Sequence, residues 1–192
     1  MVFLLSILGR PGAGKGTQVK ILQRQTGFEV IRTGQLLRKR AKKPDMIGKK
    51  LRNALEHGML APTPLVFSLW MPRLLKLCDK KNSVGMIFDG NPRKLYEAYM
   101  LEELFDLLGW ADRFRVCYIH ISEEESRKRL LRRARFDDTN GDIATRLQWF
   151  RTEVEPVLDY YRKKNVLFEV NGEQSVAEVH KEMSRHLKRF LP

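Results

Sequence analysis

The stretch LGRPGAGKGTQ, Leu8 to Gln18, limits what this chain can fold into more than any other part of it. It completes the apolar run VFLLSIL (2–8), and the pattern after Lys15 (Gln18, Val19, Ile21, Leu22) can start a helix. A strand, a glycine-rich turn and a helix start in direct succession make a cradle for phosphate. Glycines let backbone amides turn inward, and the helix N-terminus adds the positive end of its dipole. Gly9, Gly14 and Lys15 fit the spacing of a phosphate-binding loop, and Lys15 belongs against transferring phosphate oxygens, where charge shifts during reaction. The pattern's hydroxyl, which holds magnesium, arrives one place late: Gly16 follows the lysine, then Thr17. The competing reading is a glycine-rich turn before a helix with no ligand.

The rest of the chain supplies a parallel sheet. VFLLSIL (2–8), FEVI (28–31), VGMIF (84–88), RVCYIHI (115–121) and VLFEV (166–170) read as strands, mostly as continuous apolar runs, the mark of strands covered on both faces. Helical patterns separate them, which implies an α/β fold. Residues 141–163 put Ile143, Leu147, Phe150 and Val154 on one stripe, with a kink or a new helix expected at Pro156. Thr63 reads as a helix cap ahead of Pro64, and 174–190 as a basic amphipathic helix. With 192 residues the chain suits one domain with a sizeable core.

Lys and Arg number 36 against 23 Asp and Glu, a net charge of +13, which suits nucleic acid or phosphorylated small molecules. No aromatic residues interleave with RKRAKK (38–43) or SRKRLLRRAR (126–135), as a single-strand binder would want. Cys78 and Cys117 lack metal-ligand spacing and read as buried thiols of a reducing cytosol. The N-terminal apolar run reads as a strand, not a signal peptide, and no apolar run is long enough for a membrane span.

Several segments, in order, resemble the adenylate kinase family: GRPGAGKGTQ (9–18), RTGQLLR (32–38), GMIFDGNPRK (85–94), RLLRRARFDD (129–138) with IATRL (143–147) and VLDYY (157–161), and VNGEQSV (170–176). The resemblance covers essentially the whole chain. It implies a P-loop kinase three-layer sandwich: a five-stranded parallel sheet flanked by helices, a small monophosphate-binding insertion at 32–61 and a short lid near 133–139. It also implies a cytoplasmic, monomeric enzyme moving the terminal phosphoryl of MgATP to AMP. ATP would lie on Gly12, Ala13, Gly14, Lys15, Gly16 and Thr17, with Gln174 near its adenine. AMP would lie against Thr33, Arg38, Met59, Leu60, Ala61 and the turn Gly90, Asn91, Pro92, Arg93. Arg129, Arg133, Arg135 and Arg146 match lid arginines that neutralise transition-state charge, with Arg135 and Arg146 also toward AMP. Asp89, at the C-terminal edge of its strand, would orient hydrated magnesium; a helix cap is its competing reading. Arg38 and Arg93 would clamp the acceptor phosphate, a task for which the guanidinium's planar fork is suited.

Departures from the family matter too. Only Ala134 separates Arg133 from Arg135, so the lid is unusually short, and without lid cysteines zinc is not expected. Glu97 stands where the family carries a glutamine that reads the acceptor adenine. A carboxylate only accepts, so it leaves the ring nitrogen unpaired at ~1–3 kcal/mol if buried. Three outcomes follow: AMP with weaker discrimination, another monophosphate, or a neighbour that reads the base. Arg10 replaces a small residue, Asn91 an aromatic, and Gln35 an aspartate. A basic P-loop protein that binds RNA is the alternative from another class, motivated by the charge.

Overall fold

In the computed structural model, residues 2–78, 85–133 and 140–188 are described. Five strands form one parallel sheet: β1 (Phe3–Leu8), β2 (Glu29–Arg32), β3 (Gly85–Asp89), β4 (Phe114–His120) and β5 (Leu167–Asn171), in the order β2-β3-β1-β4-β5. The five strand positions read from sequence hold, each within a residue or two at its ends.

The continuous apolar run of β1 follows from its place at the centre of the sheet, where every residue is buried. Alternate side chains enter two cores. Leu4 and Leu8 join Phe88, Trp70, Phe105 and Tyr161 on one face; Phe3, Leu5 and Ile7 join Val19, Leu22, Cys117 and Met183 on the other. Helices α1 (Lys15–Thr26) and α9 (Val176–Leu187) cover the second core. The first is covered by α4 (Thr63–Cys78), α5 (Leu95–Leu107) and α8 (Glu155–Lys163), giving a three-layer sandwich. Between β2 and α4 the chain folds into a helix pair, α2 (Thr33–Ala41) and α3 (Met46–Glu56), the latter capped by Asp45, which accepts from the Gly48 amide at 2.8 Å. Helices α6 (Glu123–Arg133) and α7 (Asn140–Trp149) flank residues 134–139, which lie outside the described residues together with most of the proposed lid, Arg135, Asp137 and Asp138.

One local reading is corrected, and the new helix expected at Pro156 is found, starting one residue earlier. Thr63 does not cap α4: the Pro62 carbonyl accepts from the Leu65 and Val66 amides at 3.0 and 3.1 Å, and the buried Thr63 hydroxyl donates to Glu97 Oε1 at 3.3 Å. The helix thus begins from a backbone carbonyl, leaving the hydroxyl for a tertiary contact. The interruption near Pro156 is a π-helical turn, Phe150–Val154, that leads into α8 with Pro156 in its first turn. Proline supplies no amide to the upstream carbonyls, and a wider turn is one way a helix absorbs that loss.

Candidate active site

The sheet reverses its direction of growth at β1, whose neighbours β3 and β4 lie on opposite sides. In open parallel sheets the crevice beyond such a switch point is where ligands bind. The glycine-rich loop sits there, above the C-terminal end of β1, at the floor of a cleft of ≈ 520 Å³. A Cβ at Gly9 would lie 2.5 Å from the Ile119 carbonyl oxygen, so only glycine lets the loop leave β1 against β4. Gly14, at φ 85°, is the left-handed residue before α1 and leaves the Lys15, Gly16 and Thr17 amides at the helix start. Two buried hydroxyls hold the surroundings: Ser126 donates to the Pro11 carbonyl at 2.5 Å, and Ser6 donates to the Asn91 carbonyl at 2.6 Å. A serine inside the run FLLSIL was the sequence signal for the second of these.

Lys15 folds back over the loop and donates to the carbonyls of Gly9 (2.6 Å) and Arg10 (2.9 Å). Burial first, then the Arg93 guanidinium and more weakly Arg133 and Arg146, pull its ammonium down to about 7, against an opposing pull from Asp89. Four cations thus converge on one wall of the cleft, which is an arrangement made for a polyanion. Arg93 follows the turn after β3 and donates from Nε to the Gly90 carbonyl at 2.8 Å. Burial lowers its guanidinium from its ordinary range, and Glu97 opposes that. Arg38 lines the same cleft with its guanidinium beside Gly34, where an added Cβ would stand 3.3 Å from it. Arg129 lines the cleft from α6, held by Glu125 Oε1 (2.6 Å) and the Gly172 carbonyl (3.0 Å). Arg133 and Arg146 line it from α6 and α7.

Asp89 ends β3 facing the loop, its Oδ2 3.8 Å from where a Cβ on Gly16 would be. It does not cap α5, which starts after Lys94. Gly12, Gly14, Gly16, Thr17, Met59, Leu60 and Gly90 also line the cleft, while Ala13 is buried beneath the loop. Gln174 lies away from it, donating to Glu182 Oε2 (2.7 Å) and the Asn171 carbonyl (3.2 Å).

A smaller cavity, ≈ 20 Å³, adjoins the cleft and is bounded by Thr33, Leu60, Ala61, Asn91, Arg93 and Glu97. Pro92 follows Asn91 through a cis bond in the turn that delivers Arg93. Glu97 is only 2 % exposed. Its Oε2 accepts from the Arg93 amide at 2.7 Å; burial raises its carboxyl, while the Arg93 amide and guanidinium hold it down.

Arg10 does not reach into the cleft. It bonds Glu155 Oε1 (2.8 Å), the Ile121 carbonyl (3.2 Å) and Tyr118 Oη (3.3 Å), and stacks 4.7 Å over the Phe150 ring. It therefore ties the phosphate loop to the π-helical turn and the start of α8. Arg10→Ala is expected to destabilise the fold by about 1–3 kcal/mol, a partly buried pair and a cation–π contact together, lowering Tm by several degrees. Differential scanning calorimetry checks this, and an unchanged Tm would remove the tie.

A parallel sheet with a glycine-rich loop at its switch point and lysine and arginines around one cleft defines a P-loop phosphotransferase. A family model described as adenylate kinase matches residues 7–166. The chain is 39% identical over 183 residues to adenylate kinase 1 of Nostoc sp., covering 95% of this chain and 97% of that protein. It is 35% identical over 177 residues to the adenylate kinase of Thermus thermophilus, covering 90% of each. The chain belongs to the adenylate kinase family and is a nucleoside monophosphate kinase.

Proposed function

We propose that the protein transfers the terminal phosphoryl of MgATP to AMP, reversibly, giving two ADP. The observation that carries this reading is the meeting of Lys15, Arg93, Arg133 and Arg146 around the cleft, with a second small cavity bounded by Thr33, Asn91 and Glu97 beside it. ATP phosphates lie on the amides of 12–17, with Arg129 and Arg133 over them. AMP lies between 32–61 and the Gly90–Arg93 turn, its phosphate clamped by Arg38 and Arg93. Phosphoryl transfer needs positioning and charge stabilisation rather than covalent catalysis, and the cleft supplies both. Lys15 and Arg146 follow the charge as it spreads over the transferring group, while Arg93 fixes the attacking phosphate.

Asp89 fits a hydrated magnesium: Gly16 carries no side chain, so space remains between the loop and the Asp89 carboxylate. Magnesium supplies charge neutralisation at the phosphates when bound. No zinc is needed for the short lid at 133–139 in this reading. Among the described residues no helix is long and apolar enough to cross a membrane. A cytoplasmic monomer acting on small nucleotides is the simplest setting. The +13 charge serves first to attract nucleotides, and no nucleic-acid partner is required for this reading.

The buried carboxylate of Glu97 favours one second reading, a kinase of altered base choice. A panel of AMP, GMP, CMP and UMP with MgATP separates the two. AMP is expected to give the highest kcat/KM, and a higher value for GMP would replace AMP as the acceptor. Salt-sensitive RNA binding without turnover on any of the four would reverse the reading altogether.

A further inference from the structure

Asn91 stands where the family's segment has an aromatic residue, and its side chain is oddly placed for a mere turn residue. It is 1 % exposed, and its Nδ2 is buried with no hydrogen-bond partner among the described residues. A buried donor left unpaired is costly unless a ligand takes it. The residue is pinned from behind, because the Ser6 hydroxyl in the middle of β1 donates to its carbonyl at 2.6 Å. Its side chain bounds the small cavity together with Glu97 and Thr33, and the Thr33 hydroxyl is a second buried atom without a partner there. One cavity thus holds an acceptor-only carboxylate and an amide donor that no other described residue uses.

We propose that Asn91 is a specificity-determining residue that reads the acceptor base: Nδ2 donates to ring nitrogen N1 of a 6-aminopurine while Glu97 accepts from its amino group. The donor and acceptor that a single glutamine would offer are divided between two side chains. This rests on the reading of the cleft as an ATP:AMP phosphotransferase and deepens it. Adenine presents an amino donor beside an N1 acceptor, the complement of Glu97 and Asn91.

The test compares kcat/KM for AMP and 1-deaza-AMP, which lacks only the N1 acceptor, in the wild type, Asn91→Ala and Asn91→Leu. The wild type is expected to prefer AMP by about tenfold or more, and both variants to bring the ratio close to one by losing AMP alone. KM for ATP and the unfolding temperature report that the variants are folded; Asn91→Leu keeps the volume if Asn91→Ala loosens the turn. A wild-type ratio near one, or variants that weaken both acceptors equally, overturns the role of Asn91 while leaving the kinase intact. No transfer by the wild type to AMP, GMP, CMP or UMP overturns instead the reading of the cleft on which it rests.

Discussion

Lys15→Met is expected to cut phosphoryl transfer by at least ~10²–10³-fold and, in the same protein, to raise the unfolding temperature without ligand. The first half follows from the role of the ammonium against the transferring oxygens. The second follows from its surroundings. Without a polyanion the ammonium is held by two loop carbonyls but faces burial and three guanidinium groups, which lower it from 10.5 to about 7. The unfolded chain therefore holds this proton more tightly than the folded one. Between pH 7 and 10.5 the unfolded state binds more protons, so the Lys15 contribution to stability improves as pH rises through that window. At pH 7 the folded form carries most of the penalty, and methionine removes it. A gain of at least ~2 °C in Tm is expected near neutral pH, shrinking toward pH 10. Thermal unfolding of both proteins across that range checks the sign; a less stable variant at pH 7 would contradict it. Bound ATP should reverse the order, because its phosphates stabilise only the protonated lysine.

The second large effect is at Arg93. Arg93→Lys keeps the charge and loses the fork, and is expected to lower kcat/KM for AMP by ~10²-fold or more, with a much smaller change in KM for ATP. The guanidinium already spends Nε on the Gly90 carbonyl at 2.8 Å, which orients its remaining donors toward the cleft. A lysine ammonium cannot hold that carbonyl and clamp a phosphate from the same rigid plane. Steady-state kinetics with each nucleotide varied in turn decides it. Equal losses on both substrates would assign Arg93 to the fold of the turn rather than to the acceptor.

Much of this was legible because local chemistry and global position agree. The apolar run of β1 and the glycines after it state the strand, the turn and the helix start within one stretch, and the sheet's centre demands that kind of strand. Lys15, Arg93, Arg133 and Arg146 were named from motif positions, and they meet around one cleft. What was not legible depends on partners distant in sequence. Arg10 could not be assigned because Glu155 lies 145 positions away. The π-helical turn was hidden because Ile143, Leu147, Phe150 and Val154 keep an ordinary helical stripe across it, and all four are buried. Thr63 looked like a cap because threonine before proline suits one; the pull of Glu97 across the fold was invisible. Asn91 was placed against AMP as part of its turn, but nothing in the sequence singled out its amide, since only burial reveals that Nδ2 lacks a partner among the described residues. The Arg135 end of the lid lies outside the described residues, so its short length remains a statement about sequence.

The central claim, that this cleft carries phosphate from ATP to AMP and not to water, is tested most directly by following the label from γ-phosphate-labelled ATP with magnesium and AMP. Label in the β-phosphate of newly formed ADP, with two ADP made for each ATP and AMP consumed and negligible free phosphate, is the expected result. Label released mainly as inorganic phosphate, at the same rate with and without AMP, would contradict it.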